Sequence, residues 1–98
     1  MTTREHILKK LKYLKPKLSK LGIRNVGLFG SYIRNEQSSK SDIDLLIDFD
    51  PEKENFDNYM AVCDLFEEKF KNEKIEVVTK RGLSPYIGPK ILSEVQYV

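Results

Sequence analysis

The chain has 98 residues and a mass of 11.4 kDa, and 40% apolar with 33% charged residues is globular composition rather than disordered or fibrous. One domain spanning residues 1–98, with one core, is expected at this length. No apolar run approaches the ~20 residues of a membrane span, the lone Cys63 excludes an internal disulfide and a cysteine-based zinc site, and no leader pattern follows Met1, so a soluble cytoplasmic protein is expected.

The net charge of +2 hides a strong asymmetry. Met1 to Arg24 carries eight Lys or Arg against one Glu, whereas Asp42 to Glu68 carries ten Asp or Glu against one Lys. The basic stretch reads as the solvated face of a helix. Part of the acidic stretch lies among apolar residues, where carboxylates need a reason.

Ile7, Leu11, Leu14, Leu18 and Leu21 recur at helical spacing, so the chain opens on an amphipathic helix. Thr2 and Glu5 have capping-box spacing, Pro16 should kink the helix or start a second one, and Gly22 is the expected stop. Ile23 to Phe29 reads as a strand ended by Gly30-Ser31, followed by a short polar turn or helix to about Gln37. Ile43 to Phe49 is apolar at most positions, as in a strand buried on both faces. Phe56, Tyr59, Cys63, Phe66 and Phe70 return to helical spacing, with Asn72 as a candidate cap, and Ile75 to Thr79 is a third strand. Ser84-Pro85 is the expected start of a last helix with Ile87, Ile91 and Val95 on one side, weakened by Gly88-Pro89. The expected fold is α/β (α+β), in the order α-β-α-β-α-β-α, with a small mixed sheet of about three strands flanked by helices.

Asp42 and Asp44 are two apart on a predicted strand, so both leave one face while Ile43 and Leu45 point into the core. Adjacent carboxylates repel, and ionising both is costly without a cation between them. Oxygen-only ligands suit Mg²⁺, which binds through one or two carboxylates, waters and phosphate oxygens. Gly30-Ser31 follows a buried strand and opens a short helix, where unpaired N–H groups and the helix dipole attract phosphate, with Gly allowing close backbone approach and Ser adding a hydroxyl donor. Either feature alone is common in ordinary loops. Together they read Gly-Ser, ten residues, then Asp-Ile-Asp, a pattern expected by chance about once in a thousand chains of this size.

Leu28-Phe29-Gly30-Ser31-Tyr32-Ile33-Arg34-Asn35-Glu36 and Ser41-Asp42-Ile43-Asp44-Leu45-Leu46-Ile47 resemble the signature of the polymerase-β-like nucleotidyltransferase superfamily. More narrowly, the chain resembles the minimal nucleotidyltransferases, the antitoxin half of HEPN/MNT toxin–antitoxin pairs. The resemblance extends to Leu83-Ser84-Pro85-Tyr86-Ile87. It implies a nucleotidyltransferase fold, Mg²⁺ and ATP as cofactors, and transfer of AMP to a tyrosine of a cognate HEPN toxin. Residue by residue, Gly30 and Ser31 match the phosphate-binding pair, and Asp42 and Asp44 match the metal-binding carboxylates.

The third acidic position falls at Glu76, where the family usually has Asp. As a metal ligand or base, Glu76 would complete a second metal site, but its extra methylene moves the oxygens outward. The chain also reads Ile33-Arg34-Asn35 where the family tends to Ala-Arg-Gly. Asn35 suits a left-handed stop, and Arg34 is a candidate phosphate contact with a surface ion pair as its plain alternative. Asp48 reads as strand-end structure, and His6 and Cys63 as structural.

Two other readings stand beside the adenylyltransferase: an antitoxin without catalysis that neutralises its toxin by occlusion, and a homodimeric nucleotidyltransferase acting on a small molecule. No membrane partner and no specific nucleic acid are expected, since the lysines of Arg4 to Lys20 interleave with no aromatic beyond Tyr13. Mobility shifts with short duplexes at ~150 mM salt should show nothing tighter than the ~10⁻⁴–10⁻⁶ M of non-specific binding; sequence-selective binding would overturn that expectation.

Overall fold

A computed structural model describes residues 2–98. Helix α1 runs from Arg4 to Lys20 and buries Ile7, Leu11, Leu14 and Leu18, the stripe expected from the spacing. Its N-cap is Thr3 rather than Thr2, with the Thr3 hydroxyl accepting from the His6 N–H at 3.2 Å. Pro16 neither ends the helix nor starts a second one. It lies on the exposed face with Lys12, so the carbonyl that loses its amide partner faces water. At the C-terminal end, Gly22 takes a φ of +94° and sends its N–H to the Ser19 carbonyl.

Strand β1 (Ile23–Phe29) pairs antiparallel with β2 (Ile43–Phe49), and β2 pairs parallel with β3 (Ile75–Thr79). Helix α2 (Phe56–Lys69) makes the crossover between the two parallel strands. Asn55 caps it, accepting from the Asn58 N–H at 2.8 Å, and Asn72 takes a φ of +69° just beyond its end. Helix α3 (Gly88–Glu94) is followed by β4 (Gln96–Tyr97), which pairs antiparallel with β1 and makes the sheet order β3-β2-β1-β4.

The fold is the expected α/β type, but three further expectations need correction. The sheet has four strands, because Val95 to Val98 leaves the helical path to add β4 instead of completing an apolar helix face. The segment after Gly30 is a run of turns rather than a helix, so the element order is α-β-β-α-β-α-β. Both the Ile33 and Arg34 amides return to the Gly30 carbonyl, and Asn35 stops the run in the left-handed conformation (φ +58°). The last helix starts at Gly88, not Ser84: the Ser84 hydroxyl binds the Tyr86 and Ile87 amides in a turn, and Pro89 opens the helix where its missing N–H costs nothing.

The sheet separates two cores. On one face, α1 and α2 press Leu11, Leu14, Val62 and Phe66 onto Val26, Leu28, Ile43, Leu45 and Ile47. On the other face, Phe29, Leu46 and Ile91 form a small cluster with Val78, Leu83 and Val95 packed against it. The carboxylates of β2 emerge on this second, thinner side. Among the described residues no helix is long and apolar enough to cross a membrane.

Phe66 is fully buried and stacks obliquely against Phe70, with ring centroids 6.3 Å apart. Phe66→Ala should cost about 3–5 kcal/mol in urea unfolding. A loss below ~1 kcal/mol would show that the α2 side of the core is not closely packed.

Candidate active site

The alternation of β2 builds the site. Ile43, Leu45 and Ile47 are fully buried against the helices, while Asp44 and Asp48 are half-buried on the opposite face. Asp44 is the register partner of Phe29 on β1 and of Glu76 on β3. Asp42, one step before the strand, lies on the same side as Asp44.

Gly30 stands directly against this carboxylate. It has a φ of +79°, and a Cβ added there would collide with Asp44 Oδ2. Two requirements therefore select glycine: a left-handed backbone and close approach to Asp44. Ser31 follows, half-exposed, with its carbonyl accepting from the Glu36 amide at 2.9 Å.

Asp44 carries the electrostatic strain of the cluster. Burial, and then the neighbouring carboxylates of Glu76 and Asp42, push its pKa up to about 6, with the Arg34 charge opposing them. Glu76 is exposed on the edge strand β3, and among the described residues no three acidic, histidine or cysteine side chains form a ready metal cage. Oxygen donors that crowd and repel suit a hard divalent cation that takes its remaining ligands from water or substrate.

Arg34 does not stand free. Its Nε donates to Glu36 at 2.7 Å and its Nη1 to both oxygens of Glu94 at 3.0 Å. Glu94 Oε2 also accepts the Gly30 N–H at 2.6 Å. Two of the three groups read from the sequence as phosphate contacts are thus held by one carboxylate, and the Ile33, Arg34, Asn35 and Glu36 amides are taken up within the turn, which leaves the Ser31 hydroxyl. Glu94 is the residue that sequence reading missed. Nothing in its spacing marks it, because its partners lie 64 and 60 positions away along the chain.

The other singled-out residues make no bond to Gly30, Arg34 or Asp44 among the described residues. Asp48 meets Arg24 at 3.4 Å and Asn25 at 3.5 Å toward the other end of β2. Cys63 is half-buried, and burial raises its thiol pKa, the opposite of what a nucleophile needs. His6 is exposed on α1.

Residues 7–98 match the family described as Nucleotidyltransferase domain. The chain belongs to that family. This nucleotidyltransferase is 34% identical over 98 residues to a Methanocaldococcus jannaschii protein provisionally named a protein adenylyltransferase, MJ1379, covering 97% of this chain and 93% of that one. It is 35% identical over 81 residues to Protein adenylyltransferase MntA of Thermococcus cleftensis, covering 81% and 78% of the two chains. A structure provisionally described as a minimal nucleotidyltransferase superposes with a TM-score of 0.82 at 24% identity, covering 97% of this chain and 95% of that one. A mutant MntA–HpeT toxin–antitoxin structure gives 0.63 at 17% identity, covering 98% and 71%. The structural likenesses establish the fold, and the family match makes the chain an enzyme of the nucleotidyltransferase class.

The folded chain holds the Asp44 proton more tightly than the unfolded chain does. The stability this confers is complete below pH about 3.8 and is lost as pH rises through about 6. Solvent screening of a half-exposed group limits the loss to about 1–2 kcal/mol. Asp44→Asn, which cannot ionise, should therefore melt above wild type at pH 7.5, by ~4–8 °C per kcal/mol, and alongside it at pH 4. Thermal melts across this range check it; a pH-independent difference would refute the repulsion.

Proposed function

We propose that this nucleotidyltransferase is a protein adenylyltransferase antitoxin, moving AMP from ATP to a tyrosine of a cognate HEPN-family toxin. The observation that carries the reading is the Gly30 turn seated against Asp44, with Asp42 and Glu76 as neighbouring carboxylates. The names of the archaeal relatives support the protein acceptor, and the toxin–antitoxin neighbour supports the kind of partner.

In this proposal Asp42 and Asp44 hold Mg²⁺, with Glu76 as a third ligand or proton acceptor. The metal would neutralise charge on the transferring phosphate and on the leaving oxygens. The Ser31 hydroxyl, beside Gly30, seats the β/γ end of the triphosphate. The tyrosine oxygen attacks the α-phosphorus, the α–β phosphoanhydride bond breaks, and pyrophosphate leaves. The phenolic proton passes to Glu76 or to water. The reaction thus takes one polypeptide acting in the cytoplasm, with the toxin bringing its own hydroxyl to an open carboxylate face.

One observation favours occlusion without catalysis instead. Glu76 is exposed on an edge strand rather than enclosed with the other two carboxylates.

Mass spectrometry of the partner toxin, after mixing with ATP and Mg²⁺, separates the readings. Wild type should add AMP-sized increments, and Asp42→Asn and Asp44→Asn should bind the toxin yet add none, a loss of at least ~10²-fold. Glu76→Asp should keep or raise activity, and Glu76→Gln should lose it. Neutralisation by wild type with no added AMP would establish occlusion.

A further inference from the structure

We infer that Glu94 is a positioning residue, the splint that holds the Gly30-Ser31 turn and Arg34 in the geometry used for nucleotide. The inference rests on the nucleotidyltransferase reading of this turn. Its carboxylate accepts from the Gly30 N–H at 2.6 Å and from Arg34 Nη1 on both oxygens at 3.0 Å. Charge-assisted bonds of this kind are about twice as strong as neutral ones. They join two points of the turn to one side chain on a different element.

The splint is well founded. Glu94 is the last residue of α3, three positions beyond Ile91, which is buried against Phe29 and Leu46. Val95 sends its N–H back to the Ile91 carbonyl at 2.9 Å, and Gln96 and Tyr97 then pair with Leu28 and Gly27. The backbone on both sides of Glu94 is therefore fixed to β1, the strand that leads into Gly30. Gly30 has unusual freedom without a side chain, and its left-handed φ is not one the chain adopts by default. The carboxylate on its amide restricts that freedom.

A carboxylate on amide and guanidinium donors also resembles a phosphate, which suggests the opposite role, a plug that nucleotide must expel. The surroundings favour the splint. Expulsion would break all three bonds, leave Arg34 with Glu36 alone, and draw out a Glu94 side chain that is only 16% exposed. With Glu94 in place, Arg34 is held beside the turn as a charged, paired group. The Ser31 hydroxyl stays free for phosphate.

The test combines amide hydrogen exchange by NMR with calorimetric titration of ATP and Mg²⁺ into wild type, Glu94→Ala and Glu94→Gln. Glu94→Ala should speed exchange at Gly30 through Arg34 by at least ~10-fold while Leu28 and Leu45 keep their protection. It should weaken nucleotide binding about 10–100-fold, the usual cost of losing a supporting partner. Glu94→Gln keeps an acceptor for the Gly30 N–H and should recover part of both losses, which a general packing defect would not do. Tighter nucleotide binding by Glu94→Ala would overturn the splint in favour of the plug, and unchanged exchange at Gly30 would overturn it outright. Accelerated exchange at Gly30 in a protein whose wild type binds no nucleotide would uphold the splint and refute the adenylyltransferase reading alone.

Discussion

The period of two along β2 is the constraint on which everything else depends. Ile43, Leu45, Ile47 and Phe49 face the helices, so Asp44, Leu46 and Asp48 must face the other way. A slip of one residue would drive Asp44 into the main core and expose Leu45. The hydrophobic core thereby fixes where the carboxylates emerge, and the chain cannot fold without presenting them. β2 is also an interior strand, paired with β1 on one side and β3 on the other. One strand contributes the Gly30 turn and the other Glu76, so the same pairing that stabilises the sheet brings the parts of the site together.

Charge on the second face is balanced unevenly. Arg34 is matched by Glu36 and Glu94, a locally satisfied group. Asp44 has no such match and carries burial and two like-charged neighbours as a standing cost. Stability is thus given up where a cation would restore it, and conserved where the turn needs rigidity.

Most of the fold could be read from periodicity. β1, β2 and β3 appear within their expected limits, because short, mostly apolar runs bounded by loop residues leave little choice. What could not be read was decided by contacts distant in sequence. Pro16 looks like a breaker, but its cost depends on which face of the helix it occupies. Val95 continues a helical apolar pattern, yet the unpaired edge of β1 draws the next residues into a strand. Gly88-Pro89 looks disruptive inside a helix and is harmless as its first turn. At the site, Gly30, Ser31, Asp42 and Asp44 stand out because their spacing is local and unusual. Glu94 does not, since only the closed sheet places it beside Gly30.

The pairing of β4 with β1 also has a consequence in time. Gly27 leaves the ribosome about 70 residues before its partner Tyr97, which at ~5–20 residues per second is a delay of several seconds. Throughout that interval β1 has an open edge, its N–H and C=O groups available to any other extended chain. The nascent protein is therefore most vulnerable to wrong pairing in a window set by the rate of translation. Slowing elongation between Glu76 and Glu94 would lengthen that window without altering a single residue of the finished molecule.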